Sequence, residues 1–168
     1  MKYTSRKTLY RNVTFRSSLE AEWAAFFDTK DIYWQYEPQT FTDGINWYLP
    51  DFFLKDCFLR SDHKGVWLEI KPSYEINGSR VFDDFRSKFE LMGKLSSNER
   101  NFCVFFGHPT IELQSGTHEG YQIYPWYDNY MTFEKCSGCG AVKIEYDESH
   151  YKVCPACGGP TKTIVGYS

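Results

Sequence analysis

The chain has 168 residues, of which 42% are apolar and 19% aromatic, and its formal net charge is −3. This length fits one core domain with an appendage, and this apolar content argues against a disordered chain. No apolar run is long enough to cross a bilayer, which excludes a membrane-spanning protein. The basic N-terminus has no apolar segment behind it, as a secretory signal would, so we expect a cytoplasmic protein.

The first sixteen residues carry several positive charges and no acidic residue, in contrast to the negative charge of the whole chain. A local basic patch can bind phosphate groups whatever the total charge is. A solvated basic tail is an equally simple interpretation, because a charge run alone is weak evidence. The cations that would bind the phosphates of DNA are those closest to the first predicted helix, namely Arg6, Lys7, Arg11 and Arg16.

The predicted elements are helices and strands in a mixed order. Residues 17–29 are predicted to form an amphipathic helix, with a serine as N-cap and Glu20 in the first turn, where the helix dipole favours an anion. A second helix is predicted over residues 81–95. Strands are predicted at residues 32–37, 47–54, 66–70, 101–106 and 121–124. This order predicts an α/β fold with a mixed sheet and helices packed on it.

Glu69 and Lys71 stand two residues apart in the otherwise apolar segment VWLEI. Residues i and i+2 of a strand point to the same face, so these two side chains project together. Asp51 ends the preceding strand, and Glu20 opens an upstream helix that can close the site. Carboxylates that converge at strand ends suit Mg²⁺, and a nearby lysine can position or help deprotonate a metal-bound water. A surface ion pair is the competing interpretation, but charges in an apolar strand need a reason.

Four segments in this order resemble the PD-(D/E)xK nuclease superfamily: SSLEAEWAAFFD, YEPQTF, YLPDFFL and WLEIKP. The resemblance covers roughly residues 10 to 107. It is greatest to small phage and bacterial endonuclease-like proteins, and the layout is also similar to the transposon-end nuclease TnsA and to archaeal Holliday-junction resolvases. The resemblance implies a restriction-endonuclease-like core, with a mixed central sheet flanked by helices.

Carried over by position, the resemblance also implies roles for individual residues. Asp51 and Glu69 would be the metal-binding carboxylates, and the Ile70 carbonyl would be a further ligand of the metal. Lys71 would be the catalytic lysine. Glu20 would be the helix carboxylate that holds the metal or a metal-bound water.

The function implied by this resemblance is that of a DNA endonuclease dependent on Mg²⁺ or Mn²⁺, which uses a metal-activated water and leaves 5′-phosphate and 3′-hydroxyl ends. Two alternatives stay open. The chain could be a catalytically silent platform that binds DNA or protein, or a nuclease subunit that acts only beside a protein partner. Many nucleases of this superfamily also form homodimers in order to cut both strands.

Four of the six cysteines form two CxxC pairs near the C-terminus, and a glycine that permits a tight knuckle follows each pair. Four thiolates at this spacing match a tetrahedral structural zinc site, and the segment resembles a zinc ribbon. A disulfide is the alternative, which a cytoplasmic location opposes. We expect a core over residues 1–130 and a separate ribbon over residues 131–168, with a hairpin between the pairs. The zinc ligands would be Cys136, Cys139, Cys154 and Cys157.

Overall fold

The computed structural model describes residues 5–59, 64–72, 91, 102–109, 131–146 and 152–165. Within these residues one helix and eleven strands are defined. In chain order they are β1 (Thr8–Tyr10), β2 (Val13–Phe15), α1 (Ser18–Thr29), β3 (Gln35–Tyr36), β4 (Phe41–Thr42), β5 (Trp47–Tyr48), β6 (Phe52–Leu59), β7 (Lys64–Lys71), β8 (Phe102–Phe106), β9 (Met131–Cys136), β10 (Val142–Tyr146) and β11 (Thr161–Val165). The fold is therefore mixed α/β and consists mostly of sheet, as the sequence predicts at this level.

Helix α1 begins where the sequence predicts it. The Ser17 hydroxyl accepts a hydrogen bond from the Glu20 backbone N–H at 3.2 Å, which satisfies one of the free donors of the first turn. The inner face of the helix is aromatic and packs on the sheet, with ring centroids 4.9 Å apart for Trp23 and Phe105 and 5.6 Å apart for Phe27 and Phe52. This packing fixes the first turn of α1, and Glu20 with it, against the sheet.

The main sheet has seven strands, with the order β11-β9-β10-β6-β7-β8 and β3 paired to β6 off this path. Strands β6 and β7 are antiparallel, whereas β7–β8 and β10–β6 are parallel. One edge of β6 changes its neighbour along its length, because residues 52 and 53 pair with β3 and residues 57–59 pair with β10. The register of β6 with β7 shifts between Leu54 and Phe58, so the strand bends between these two partners.

The strand predicted at residues 47–54 is two strands in the structure. β5 pairs with β4 in a small separate hairpin, whereas β6 belongs to the main sheet. The break between them contains Pro50, which cannot donate a hydrogen bond to a neighbouring strand. Asp51 thus lies immediately before β6 instead of inside a strand. This position places it at the end of the main sheet.

Part of the N-terminal basic segment is a hairpin and not a solvated tail, which was one of the two interpretations of its charges. Residues 8–15 form the β1–β2 hairpin, and Arg11 and Asn12 at its turn have positive φ angles of 46° and 64°. This left-handed conformation at two consecutive positions is that of a type I′ turn, which matches the twist of a hairpin. Phe15 at the end of β2 is fully buried against Trp34, Tyr36 and Phe52. The hairpin is therefore anchored to the core.

The segment after residue 130, predicted as a separate module, continues the main sheet. β10 pairs with β6, and Phe133, Val142 and Ile144 share the apolar core beneath α1. The cysteine knuckles are too small to cover these three side chains, so the side chains are buried beneath α1 instead. The two strands expected to pair in a hairpin between the cysteine pairs have other partners. β10 pairs with β9 and β6, and Val153 forms an isolated bridge with Pro160. The boundary at residue 130 stays a prediction, since residues 110–130 lie outside the described residues.

The opposite face of the sheet carries a second apolar cluster of Phe41, Tyr48, Leu91, Phe102 and Val104. Leu91 is helical and is the one described residue of the helix predicted over residues 81–95. The strand predicted at residues 121–124 lies outside the described residues. In the part of the chain that the structure describes, no helix is long and apolar enough to span a membrane.

Candidate functional site

The four residues predicted to form an active site meet at one end of the main sheet. The register pairs Phe52 with Leu68, so the next residues on the two strands, Asp51 and Glu69, lie side by side. The Ile70 backbone N–H donates to Asp51 Oδ2 at 2.7 Å, and Lys71 Nζ lies 2.5 Å from Glu69 Oε1. Lys71 therefore pairs with Glu69, as the surface-ion-pair interpretation expects, but Glu69 itself is buried.

Glu20 reaches the same end of the sheet from the first turn of α1. Its Oε1 accepts a hydrogen bond from the Ser17 hydroxyl at 2.7 Å. Its Oε2 accepts one from the Tyr36 hydroxyl at 2.5 Å and one from the Arg16 backbone N–H at 3.1 Å. Glu20, Asp51 and Glu69 are only 8%, 3% and 5% exposed, so three carboxyl groups are removed from bulk water in one region.

Arg16 is the cation closest to Asp51. Its Nη2 donates to Asp51 Oδ1 at 2.6 Å, and its Nε lies 2.6 Å from Glu37 Oε1, an ion-pair contact without hydrogen-bond geometry. The Glu37 backbone N–H donates to the Asp51 carbonyl at 2.9 Å, which joins the two acidic residues through the main chain. The guanidinium group thus bridges Glu37 and Asp51 at the rim of the site.

Burial and like charge dominate the electrostatics of this group of acids. Burial raises the pKa of Asp51 to about 8, and the charges of Glu69 and Glu20 act in the same direction. The Ile70 N–H and the Lys71 ammonium group act in the opposite direction but do not offset burial. Burial, followed by the charge of Glu69, also raises the pKa of Tyr48 well above its ordinary value, so this hydroxyl stays a hydrogen-bond donor.

Each carboxylate oxygen of Glu20, Asp51 and Glu69 already has a partner in the protein. The last of the six is Glu69 Oε2, which accepts from the Tyr48 hydroxyl at 2.5 Å. Among the described residues, the four cysteines alone form a set of three or more Cys, His, Asp or Glu ligand atoms within 4.8 Å of one another. Glu20, Asp51 and Glu69 therefore do not place three ligand oxygens within this distance of one another. They are hard oxygen donors of the kind that Mg²⁺ prefers, but their side chains would have to move to surround one ion.

The remaining predicted phosphate-binding residues are less closely tied to these acids. Arg11 forms an ion pair with Asp28 at 3.1 Å, and Arg6 and Lys7 are exposed just before β1. Their contact with DNA stays a prediction, as does the predicted role of the Ile70 carbonyl.

Three contributors to the site were missed from the sequence. Tyr36 and Tyr48 orient Glu20 and Glu69 through their hydroxyl groups, and Glu37 holds Arg16. One signal was available, because both tyrosines lie in the segments YEPQTF and YLPDFFL that carry the family resemblance.

The four cysteines of the two CxxC pairs converge as predicted. The sulfur atoms of Cys136 and Cys157 are 3.6 Å apart, those of Cys139 and Cys154 are 3.5 Å apart, and all four lie within 4.8 Å of one another. These separations are too long for disulfides, and all four cysteines are free. They match the edges of a tetrahedron of sulfur ligands about 2.3 Å from a central ion. The cluster could therefore hold a structural metal such as zinc.

Two knuckles of matching geometry hold these sulfur atoms in place. Gly140 N–H donates to the Cys136 carbonyl at 3.1 Å, and Gly158 N–H donates to the Cys154 carbonyl at 2.8 Å. Both glycines have positive φ angles, of 75° and 72°, which side-chain-bearing residues rarely adopt. Backbone N–H groups of Cys139 and Gly138 point at Cys136 Sγ and lower the pKa of that thiol to about 6. This favours the thiolate, which is the form that binds metal.

The chain matches no protein-family model, no curated protein and no solved structure.

Proposed function

We propose that the protein is a metal-dependent DNA endonuclease that hydrolyses phosphodiester bonds at the end of the sheet where Glu20, Asp51, Glu69 and Lys71 meet. The observation that carries the proposal is the burial of three carboxyl groups beside a lysine, on elements far apart in sequence. Burying three acids in one region costs free energy even where cations pair with two of them, so their concentration here calls for a functional reason.

In this proposal Asp51 and Glu69 bind the divalent ion, assisted by Glu20 and the Ile70 carbonyl. The ion would supply Lewis acidity and a water of lowered pKa. Tyr48 fixes the orientation of Glu69, and Tyr36 and Ser17 fix that of Glu20. Lys71, held beside Glu69 and 30% exposed, can hydrogen-bond the attacking water and balance the charge that develops on the phosphate.

For the cysteine cluster we propose one structural Zn²⁺ per chain. Four thiolates fill a tetrahedral ion and leave no open position for substrate. The cluster adjoins β9 and packs with Phe58 of β6, so the ion would fasten the end of the chain to the main sheet. Elemental analysis of the purified protein should give one zinc per chain. Absence of zinc together with four titratable thiols in the folded protein would contradict this.

Cleavage of supercoiled plasmid and of branched oligonucleotides tests the endonuclease proposal. We expect cleavage with Mg²⁺ or Mn²⁺, none when the ions are chelated, and loss of cleavage in Lys71→Ala and Asp51→Asn. Lys64→Ala is the matched control, because Lys64 also lies on β7 in an ion pair, with Asp56 at 2.7 Å, but at the other end of the strand. Cleavage that persists in Asp51→Asn and Lys71→Ala would rule out this site as the catalytic centre.

A second candidate is a nuclease subunit, or a binding platform, that is silent by itself. The complete pairing of the six carboxylate oxygens favours it, because a partner or DNA would first have to open these contacts. Gel-shift titration with duplex and branched DNA separates the two candidates. Tight binding without cleavage at any metal concentration would favour the silent platform or the partner-dependent subunit.

A further inference from the structure

We propose that Arg16 is an internal cation that competes with the divalent metal for Asp51, so that metal binding requires Asp51 to release the guanidinium group. This inference rests on the proposed function, since it concerns the same carboxylates. It gives Arg16 a positioning role in the metal-free site, in place of a simple role as one of several phosphate-binding residues.

The first support is the place of the guanidinium group. Arg16 Nη2 lies 2.6 Å from Asp51 Oδ1, which is one of the oxygens that a metal would need. The other oxygen, Oδ2, is held by the Ile70 backbone N–H inside the sheet and is less easily released. We therefore expect a metal to approach Asp51 at Oδ1, where its charge would repel the guanidinium group that lies 2.6 Å from this oxygen.

The second support is that Arg16 can leave without becoming an unpaired charge. Its side chain is 52% exposed, whereas that of Asp51 is 4% exposed, so the arginine is the partner of this pair that can turn into solvent. Its Nε lies beside Glu37, which would keep the guanidinium group at the rim after Asp51 is released. The Arg16 backbone N–H remains bound to Glu20 and Tyr36 throughout, so only the side chain has to move.

The third support is charge. The guanidinium group brings one positive charge to a cluster of three buried carboxyl groups, next to which Lys71 is the other cation. A divalent ion would supply two charges at the same place. Arg16 could then contact a substrate phosphate only after the metal has bound, which sets an order of events at the site.

Isothermal titration with Mn²⁺ tests the inference without relying on cleavage. The wild type, Arg16→Met, Arg11→Met and Asp51→Asn would each be titrated as the purified full chain. Mn²⁺ binding that the wild type shows and Asp51→Asn lacks is assigned to the carboxylate site. Mn²⁺ binding that both proteins show is assigned to other sites. We expect Arg16→Met to bind Mn²⁺ about 5- to 10-fold more tightly than the wild type. A change of this size lies between the contribution of an exposed ion pair and that of a buried hydrogen bond to a charged group.

Arg11→Met is the matched control, because it removes the same charge from the turn of the preceding hairpin, where Arg11 forms an ion pair with Asp28 instead of Asp51. Its Mn²⁺ affinity should stay within about twofold of the wild type, since screening weakens effects of distant exposed charges. Unchanged or weaker binding in Arg16→Met would overturn the inference, and equal tightening in both variants would reduce it to a general charge effect. Absence of Asp51-dependent binding in the wild type would instead count against the proposed metal site itself.

Discussion

Replacement of Asp51 by asparagine should stabilise the folded protein when no divalent metal is added. Asparagine has nearly the same volume and keeps an oxygen that can accept from the Ile70 N–H. It removes a carboxylate that is 3% exposed and that lies beside Glu69 and Glu20. The site would thus be an example of function maintained at the expense of stability.

The magnitude follows from the pKa of Asp51, which burial raises from 3.8 to about 8. Between these two values the folded state binds more protons than the unfolded state, so the free energy of unfolding falls as the pH rises, and it levels off above about pH 8. This rise in the pKa corresponds to an upper limit of about 5 kcal/mol on the free energy that burial of the charged form costs. Loss of the contact with Arg16 offsets part of this gain in the variant. We therefore expect Asp51→Asn to add about 1–3 kcal/mol near pH 8 and almost nothing near pH 4.

Urea denaturation followed by tryptophan fluorescence, repeated across this pH range, measures the effect. Asp56→Asn is the control, because Asp56 lies on β6, the strand that begins just after Asp51, in an exposed ion pair with Lys64 and should give no such gain. Added Mg²⁺ should stabilise the wild type but not Asp51→Asn, since a ligand stabilises the state to which it binds. If Asp51→Asn were less stable than the wild type near pH 8, the ion pair with Arg16 would outweigh burial and the reasoning would be refuted.

Three further predictions concern stability. Gly65→Ala should cost roughly 2–4 kcal/mol in urea denaturation, because Gly65 has a φ of 95° and an added Cβ would lie 2.7 Å from Phe53 Cζ; a cost below about 0.5 kcal/mol would contradict this packing. Tyr48→Phe should lower the free energy of unfolding by about 2 kcal/mol, because it leaves buried Glu69 Oε2 without its donor, and an unchanged stability would show that this hydrogen bond is absent in solution. Cys157→Ser should lower the zinc content and the melting temperature. The variant should still unfold in one cooperative transition, because β10 belongs to the main sheet. Two separate unfolding transitions would instead indicate that the cysteine segment is an independent module.

The local parts of the fold were predictable from the sequence. Helix α1 was placed within one residue because its cap, its acidic first turn and its aromatic face all lie within thirteen consecutive residues. The pairing of Glu69 with Lys71 followed from the two-residue period of a strand. In each of these cases the interacting residues are neighbours in the sequence, so their spacing alone determines their relative positions in a helix or a strand.

Errors arose where a strand had to be assigned a partner. The apolar run at residues 47–54 gave no sign that β5 would pair with β4 while β6 entered the main sheet. The segment VKIEY was predicted as part of a hairpin between the cysteine pairs, whereas in the structure it pairs with β9 and β6. The preference of a residue for a strand reflects how its side chain fits a half-buried pleated surface. This preference does not depend on which strand lies alongside, so it could not identify the neighbouring strands.

The sequence by itself determined which chemical groups are available: three acids and a lysine that the family resemblance singles out, and four cysteines at spacings that suit a metal such as zinc. Only the tertiary structure decided what these groups contact, namely Tyr48 against Glu69, Tyr36 against Glu20, and Arg16 between Asp51 and Glu37. The physical reason is that such contacts join residues up to 35 positions apart. They depend on sheet register and helix packing, which are set by the whole core and leave no local signal in the chain.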